Sequence, residues 1–152
     1  MGNLISRNNS GVDLTLTFPD GQVTAFENGV ELNSPETGEF LVTQGTTPIY
    51  TFTLYQGIHI TDITSIQLNG VVTFKNNTSE DLTLVLPTGV ATAFPKGQTF
   101  EYSNTGTYSV HAGPSLPTPI YDFKYHRGYV AIDVNEIVKQ PPARIEDWNQ
   151  AR

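Results

Sequence analysis

An internal duplication constrains the fold of this chain more than any other feature of its sequence. Shifted by 68 positions, residues 8–45 align without a gap on residues 76–113, and 16 of the 38 aligned pairs are identical. The shared residues include the tetrapeptide DLTL, a Pro-x-Gly turn, the tripeptide TAF and a Thr-Gly pair. Copies that are this similar are expected to form the same supersecondary unit twice.

The duplication continues beyond this block, after three inserted residues in the second copy. With the shift now 71, residues 47–50 align on residues 118–121, and both segments read TPIY. The first repeat therefore spans residues 1–66, the second spans residues 67–139, and residues 140–152 form an unrepeated C-terminal tail. Whether each copy closes its own sandwich or both share one system of sheets stays open at this point.

Each copy consists of short segments in which apolar and polar residues alternate. Leu14, Leu16 and Phe18 share one face of a predicted strand, and threonines occupy the other face. A Pro-Asp-Gly turn follows, so residues 22–26 are expected to pair back antiparallel. Further apolar rows comprise Phe40 and Val42; Tyr50, Phe52 and Leu54; and Ile58, Ile60 and Ile63. The pattern predicts an all-β fold made of two tandem repeats of a small antiparallel β-sandwich or barrel unit, with a short C-terminal arm.

Composition limits the chemistry and the partners that are open to this chain. It has no cysteine, which excludes disulfides, thiolate metal sites and cysteine nucleophiles. The net charge of −7 is uneven, because residues 1–66 carry seven acids against one base, whereas residues 67–139 carry six acids and five bases. We therefore expect a neutral or basic partner and no binding to nucleic acid.

The chain shows no sequence signal for a membrane or for secretion. No run of eighteen apolar residues is present, and the N-terminus lacks the pattern of a secretion signal, so we expect no membrane partner. The first six residues fit the loose N-myristoylation pattern, but residues 2–7 align on the strand-like residues 70–75, which favours a strand. The glycosylation-type triplets that begin at Asn8 and Asn76 are interpreted as turn residues.

Residues with catalytic or metal-binding potential do not assemble into a known motif. His59, His111 and His126 are 52 and 15 residues apart, a spacing that matches no short metal site, so each is interpreted as a surface or half-buried histidine. Asp13 and Asp81 recur at the start of DLTL beside an Asn-Asn turn and are interpreted as turn caps. We therefore predict no catalytic residue, no metal site and no cofactor.

Part of the second copy resembles a cupredoxin. The segment VTFKNN at residues 72–77, followed by GTYSVH at residues 106–111, is similar to the strand patterns VTF-x-N and GTY-x-Y-x-C of that family. The resemblance implies a β-sandwich topology. A blue-copper site needs a thiolate and two imidazoles, and the position where the family has its cysteine is not cysteine here, so copper electron transfer is not expected.

The C-terminal tail holds the residues that are predicted to dock. Pro141-Pro142 ends the repeat region, and Trp148, the only tryptophan of the chain, lies three positions after Ile145 on what would be one helical turn. Together with Arg144, these residues are predicted to insert into a neighbouring subunit as an aromatic anchor. The alternative is a tail that packs back on its own domain.

By composition and architecture, the chain resembles the small β-sandwich accessory proteins of tailed-phage virions, such as capsid decoration or cement proteins. The resemblance implies a non-enzymatic structural protein that binds a lattice of capsid or tail subunits, forms a homo-oligomer and resides in the virion after assembly in the host cytoplasm. The alternative is a receptor- or carbohydrate-binding module of a tail or fibre. Tyr50 and Tyr121 recur in both copies and could serve it, although each continues an inward-facing row. An enzyme is the third hypothesis, which no nucleophile or acid–base pair in the sequence supports.

Overall fold

The computed structural model describes residues 2–112 and 119–137, which form an all-β protein. Its fourteen strands are β1 (Gly2–Asn8), β2 (Leu14–Thr17), β3 (Val23–Phe26), β4 (Glu31–Ser34), β5 (Gly38–Gln44), β6 (Thr47–Leu54), β7 (Gly57–Ser65), β8 (Val72–Asn76), β9 (Leu82–Val85), β10 (Ala91–Phe94), β11 (Thr99–Tyr102), β12 (Gly106–His111), β13 (Tyr121–Tyr125) and β14 (Tyr129–Glu136). In this part of the chain no helix could cross a membrane. The predicted all-β class is confirmed.

The strands form two sheets that enclose one core. The six-stranded sheet has the order β11-β8-β14-β7-β1-β4, and the eight-stranded sheet has the order β10-β9-β12-β13-β6-β5-β2-β3. When β1–β7 are matched with β8–β14, each order reads the same from both ends. The first copy therefore provides one half of each sheet and the second copy provides the other half. Neither copy closes its own sandwich, which answers the question that the sequence left open.

A local two-fold axis relates the two halves and passes through the middle of both sheets. In the eight-stranded sheet, Phe52 of β6 lies opposite its repeat mate Phe123 of β13. In the six-stranded sheet, Thr61 of β7 lies opposite its repeat mate Ile132 of β14. The pairing registers of β2 with β3 and of β9 with β10 also correspond. The chain is thus arranged like a symmetric dimer joined into one polypeptide.

The core between the sheets is dominated by aromatic rings near this axis. Phe52 and Tyr121 stack with their ring centroids 4.8 Å apart, and the centroids of Tyr50 and Phe123 are 5.1 Å apart. The predicted inward rows of β5 and β6 are buried. Aromatic pairs of this kind add specific geometry to the large apolar area that they remove from water.

In β7, the last apolar segment of the first copy, two of the three isoleucines face outward and not toward the core. Ile58 and Ile60 are half-buried on the outer face of β7, whereas His59, Thr61 and Ile63 face the core. The parallel pairing of β7 with β1 sets this phase, and it places Ile60 opposite another outward isoleucine of β1. A strand that slips by one residue turns every side chain to the other face, so the partner strand decides the orientation.

Two buried asparagines hold the loops that follow β1 and β8. Nδ2 of Asn8 donates to the carbonyl oxygens of Val12 at 2.9 Å and Phe26 at 2.6 Å. Its Oδ1 accepts from the backbone N–H of Ser10 at 3.0 Å and from the Ser10 hydroxyl at 2.6 Å. Asn76 makes the same four hydrogen bonds in the second copy. Asn8 and Asn76 are the last residues of strands β1 and β8, and their amides are fully engaged in hydrogen bonds to the loops that follow.

The recurring aspartates cap turns, as predicted. Oδ1 of Asp13 accepts from the backbone N–H of Asn28 at 3.0 Å, and Oδ1 of Asp81 accepts from that of Lys96 at 3.1 Å. Each carboxylate thereby links the start of DLTL to the turn that follows the next strand. The same hydrogen bond across the hairpin explains why an aspartate occurs at this position in both copies.

Candidate interaction surfaces

The residues predicted to dock, Arg144, Ile145 and Trp148, lie outside the part of the chain that the structure describes. The docking hypothesis for them stays a prediction. The described residues present four other features: a polar pair within the core, the outer faces of the two sheets, and one exposed tyrosine.

The three histidines are distant from one another in the chain's fold. His59 lies inside the core on β7, His111 lies on the outer side of β12, and His126 follows β13. No group of three His, Asp or Glu side chains in the described ranges could hold a metal ion. The expectation of a surface or half-buried position is wrong for His59, which is fully buried, because its pairing opposite Leu4 directs it inward.

A polar pair within the core consists of His59 and Tyr121. Their rings meet edge to face, with centroids 5.1 Å apart and an interplanar angle of 74°. Nε2 of His59 donates to the carbonyl oxygen of Gln56 at 2.7 Å, which leaves Nδ1 as the unprotonated nitrogen of a neutral ring. Nδ1 of His59 and the hydroxyl of Tyr121 are buried without a hydrogen-bond partner among the described residues. Such atoms are costly to bury, so this pair is a weak point of the core.

The pair arises where the two copies have diverged. The hydroxyl of Tyr50, the repeat mate of Tyr121, bonds to the hydroxyl of Thr61 at 3.2 Å. In the second copy, Ile132 occupies the position of that threonine, so Tyr121 has no corresponding hydroxyl. Burial raises the pKa of Tyr50 to about 12 and raises the pKa of Tyr121 well above 10. Burial also lowers the pKa of His59 to about 4, against the opposing effect of its bond to the backbone.

The outer face of the eight-stranded sheet is broad and carries few charges. Small or β-branched residues and one leucine, Leu41, occupy most of its outward positions; the small or β-branched residues are Thr15, Thr17, Val23, Ala25, Thr43, Thr51, Thr53, Thr83, Val85, Ala91, Ala93, Thr107 and Ser109. Glu39, Asp122 and Lys124 are the charged residues of these described strands that share the face. Thr15 lies opposite Thr43 across β2 and β5, and Thr51 lies opposite both Leu41 and Lys124. This surface therefore presents mainly hydroxyl and methyl groups.

The outer face of the six-stranded sheet carries more charged residues. Arg7 lies opposite Asp62 across parallel strands, and Lys75 lies opposite Asp133 in the corresponding place of the second copy. Nε of Arg7 also donates to Oε1 of Glu31 at 2.7 Å. Burial raises the pKa of Asp133, while the nearby bases Lys75 and Arg7 oppose that shift. This face thus carries paired charges beside the outward isoleucines Ile5, Ile58 and Ile60.

One exposed aromatic ring stands at the margin of the low-charge face. Tyr55 is 41% exposed, and its hydroxyl donates to Oδ2 of Asp122 at 3.0 Å. The other carboxylate oxygen of Asp122 accepts from the hydroxyl of Ser109 at 2.5 Å. By contrast, Tyr50 and Tyr121 are buried, as the inward row predicted, and cannot form a surface platform.

Sequence reasoning did not identify the low-charge face, although part of the signal was present. The outward threonines alternate with the core residues of their strands, so their common orientation within a strand could have been read from the sequence.

Comparison with known proteins adds no assignment: no protein family matches this sequence, and no curated protein is significantly similar to it.

Proposed function

We propose that this protein is a non-enzymatic structural protein that binds and stabilises a protein lattice, as a decoration or cement protein of a virus capsid does. The observation that carries the proposal is the broad, threonine-rich outer face of the eight-stranded sheet. Receptor binding is the alternative function, since one feature of the same face favours it.

The composition of this face suits a surface that adheres to another protein. Threonine, valine and alanine lose little rotamer freedom when they are immobilised, because they are short or stiff at χ1. Binding through such residues therefore costs less conformational entropy than binding through lysine or glutamate. Their hydroxyl groups can bond to a polar partner while their methyl groups supply apolar contact.

The architecture supports the same function. Both copies contribute to both sheets, so the face is a single continuous ladder of paired strands and not two hinged modules. A rigid face of this kind can contact more than one lattice subunit, and many modest contacts together raise the stability of a shell through avidity. The net charge of −7 favours a neutral or basic lattice surface as the partner.

The test places one charged residue in the middle of the face. Thr51→Arg introduces a long cationic side chain on β6, and Thr73→Arg is a matched control on the outer face of the six-stranded sheet, where Thr73 is also half-buried. Virus particles are purified by banding from the culture in which this chain is encoded, and the chain is then stripped from them. Each purified protein is mixed with these particles, and the mixture is sedimented through a density gradient. The wild type and the control should co-sediment with the particles, and Thr51→Arg should not. A wild-type protein that stays at the top of the gradient contradicts the proposal.

The second candidate function is carbohydrate or receptor binding, favoured by the exposed ring of Tyr55 beside the carboxylate of Asp122. Sugar sites commonly combine an aromatic platform with a carboxylate and hydroxyl groups. Binding of the wild type on a glycan array, lost in Tyr55→Ala, would support this function. An array without binding, together with co-sedimentation above, would exclude it in favour of the lattice.

A further inference from the structure

The two edges of the eight-stranded sheet carry nearly the same sequence and no charge. β3 reads VTAF and β10 reads ATAF. Val23, at the start of β3, is 63% exposed, and Val90, directly before β10, is 56% exposed. Natural sheets usually protect an edge with a charge, a proline within the strand or a bulge, because unpaired backbone groups there can add a further strand.

The turn between β2 and β3 determines which backbone groups of β3 are free. The N–H of Phe18 donates to the carbonyl oxygen of Gln22 at 2.9 Å, which makes this the first hydrogen-bonded pair of the hairpin. Hydrogen-bonded pairs alternate along an antiparallel ladder. The N–H and C=O groups of Val23 and Ala25 therefore point away from β2, on the side where no described strand pairs with β3.

The other edge has the same geometry. The N–H of Leu86 donates to the carbonyl oxygen of Val90 at 2.9 Å, so the free groups of β10 belong to Ala91 and Ala93. Each edge thus offers two donors and two acceptors in the same pattern. The edges of the six-stranded sheet differ, because β4 and β11 carry the exposed carboxylates of Glu31 and Glu101. Only the eight-stranded sheet has uncharged edges among the described strands.

The direction of the edge strands permits a continuous sheet between molecules. Every neighbouring pair in the eight-stranded sheet is antiparallel, so β3 and β10 run in opposite directions. A second copy displaced along the sheet therefore brings its β10 antiparallel to β3. With Val23 opposite Ala93 and Ala25 opposite Ala91, all the free groups of both edges are paired.

We propose that copies of this chain associate head to tail, with β3 of one copy pairing with β10 of the next and extending the eight-stranded sheet across the junction. Because the two surfaces of the contact differ, the association is heterologous and produces an open chain or a ring. The inference depends on the sheet edges alone and does not require the lattice proposed above.

Charge favours this junction over a contact between two copies of β3. Asp20 lies in the turn before β3, Glu27 follows β3, and Lys96 follows β10, and all three are exposed. Antiparallel pairing of β3 with β10 places Asp20 at the same end of the junction as Lys96. Pairing of β3 with another β3 would instead place Asp20 beside Glu27 at both ends, where like charges repel.

The test uses the full chain with a lysine at one edge. Ala25→Lys and Ala93→Lys place a charge on β3 and β10, at exposed positions that leave the internal ladder intact. Ala131→Lys on the outer face of β14 is the matched control. Sedimentation velocity over a range of concentrations should show self-association of the wild type and the control. Each edge variant should associate about tenfold or more weakly, because a lysine on an edge strand opposes the addition of a further strand. Thermal unfolding by circular dichroism confirms that each variant is folded.

A mixing experiment distinguishes a head-to-tail junction from a symmetric one. Ala25→Lys retains an intact β10 edge and Ala93→Lys retains an intact β3 edge, so an equimolar mixture should form dimers that neither variant forms alone. Self-association of Ala93→Lys by itself would indicate a β3–β3 contact and overturn the proposal. A wild type that stays monomeric at every concentration, or edge variants that associate as well as the control, would overturn it too. None of these results depends on lattice binding, which the density gradient measures separately.

Discussion

His59 should make the stability of this protein depend on pH in mildly acidic solution. The ring is fully buried, and burial lowers its pKa from 6.5 to about 4 in the folded protein. In the unfolded chain the same ring titrates near 6.5. Between these two values the unfolded chain binds a proton that the folded protein does not bind, so the free energy of unfolding decreases as the pH falls.

The expected size of the effect follows from this difference. At about 1.4 kcal/mol per pH unit, the interval from 6.5 to about 4 corresponds to a loss of about 3 kcal/mol of stability. The contribution is fully present above pH 6.5 and is lost as the pH falls to about 4. A loss of this size is a large fraction of the total stability of a typical domain, about 5–15 kcal/mol.

The substitution His59→Val removes the titrating group and inserts the residue that the second copy has at the equivalent position, Val130. Urea unfolding, followed by circular dichroism between pH 7.5 and pH 4, gives the free energy of unfolding of both proteins. The difference between the variant and the wild type should shift by about 3 kcal/mol in favour of the variant over this range. Other acidic groups titrate in both proteins and cancel in the difference. A difference that is the same at every pH would refute the argument.

Four other predictions concern the core, a loop and the tail, and urea unfolding tests the first three. Tyr121→Phe removes a buried hydroxyl that has no partner and should raise the free energy of unfolding by about 1 kcal/mol at every pH below 8; a loss of stability would show that the hydroxyl is bonded. Asn76→Ala should lower it by more than about 2 kcal/mol because four hydrogen bonds are lost, whereas the exposed Asn77→Ala should change it little, and equal effects would contradict this role. Phe52→Ala should cost about 3–5 kcal/mol, and a cost below about 2 kcal/mol would contradict its central packing. Truncation after Val138 should leave a folded protein that no longer binds its lattice, whereas an unfolded product would favour a tail that packs on its own domain.

The low-charge face and the sheet edges illustrate different limits of prediction. That Thr51 points away from Phe52 follows from strand alternation, which is a local property. That Thr51 lies between Leu41 and Lys124 depends on the pairing of β6 with β5 and β13, and β13 belongs to the other copy. Likewise, the TAF tripeptides are visible in the sequence, but only the strand order shows that they occupy opposite ends of one sheet.

The sequence by itself determined the all-β class, the hairpins within each copy and the inward rows of β2, β5 and β6, because period-two alternation and turn chemistry act between residues that are close in the chain. The tertiary structure decided the phase of β7, which buries His59, and the sharing of both sheets between the copies. These features depend on pairing between strands that are distant in sequence, such as β6 with β13 and β7 with β14. Alternation leaves such pairing open, since the same pattern suits several partners and registers, and only the packing of the whole core selects one of them.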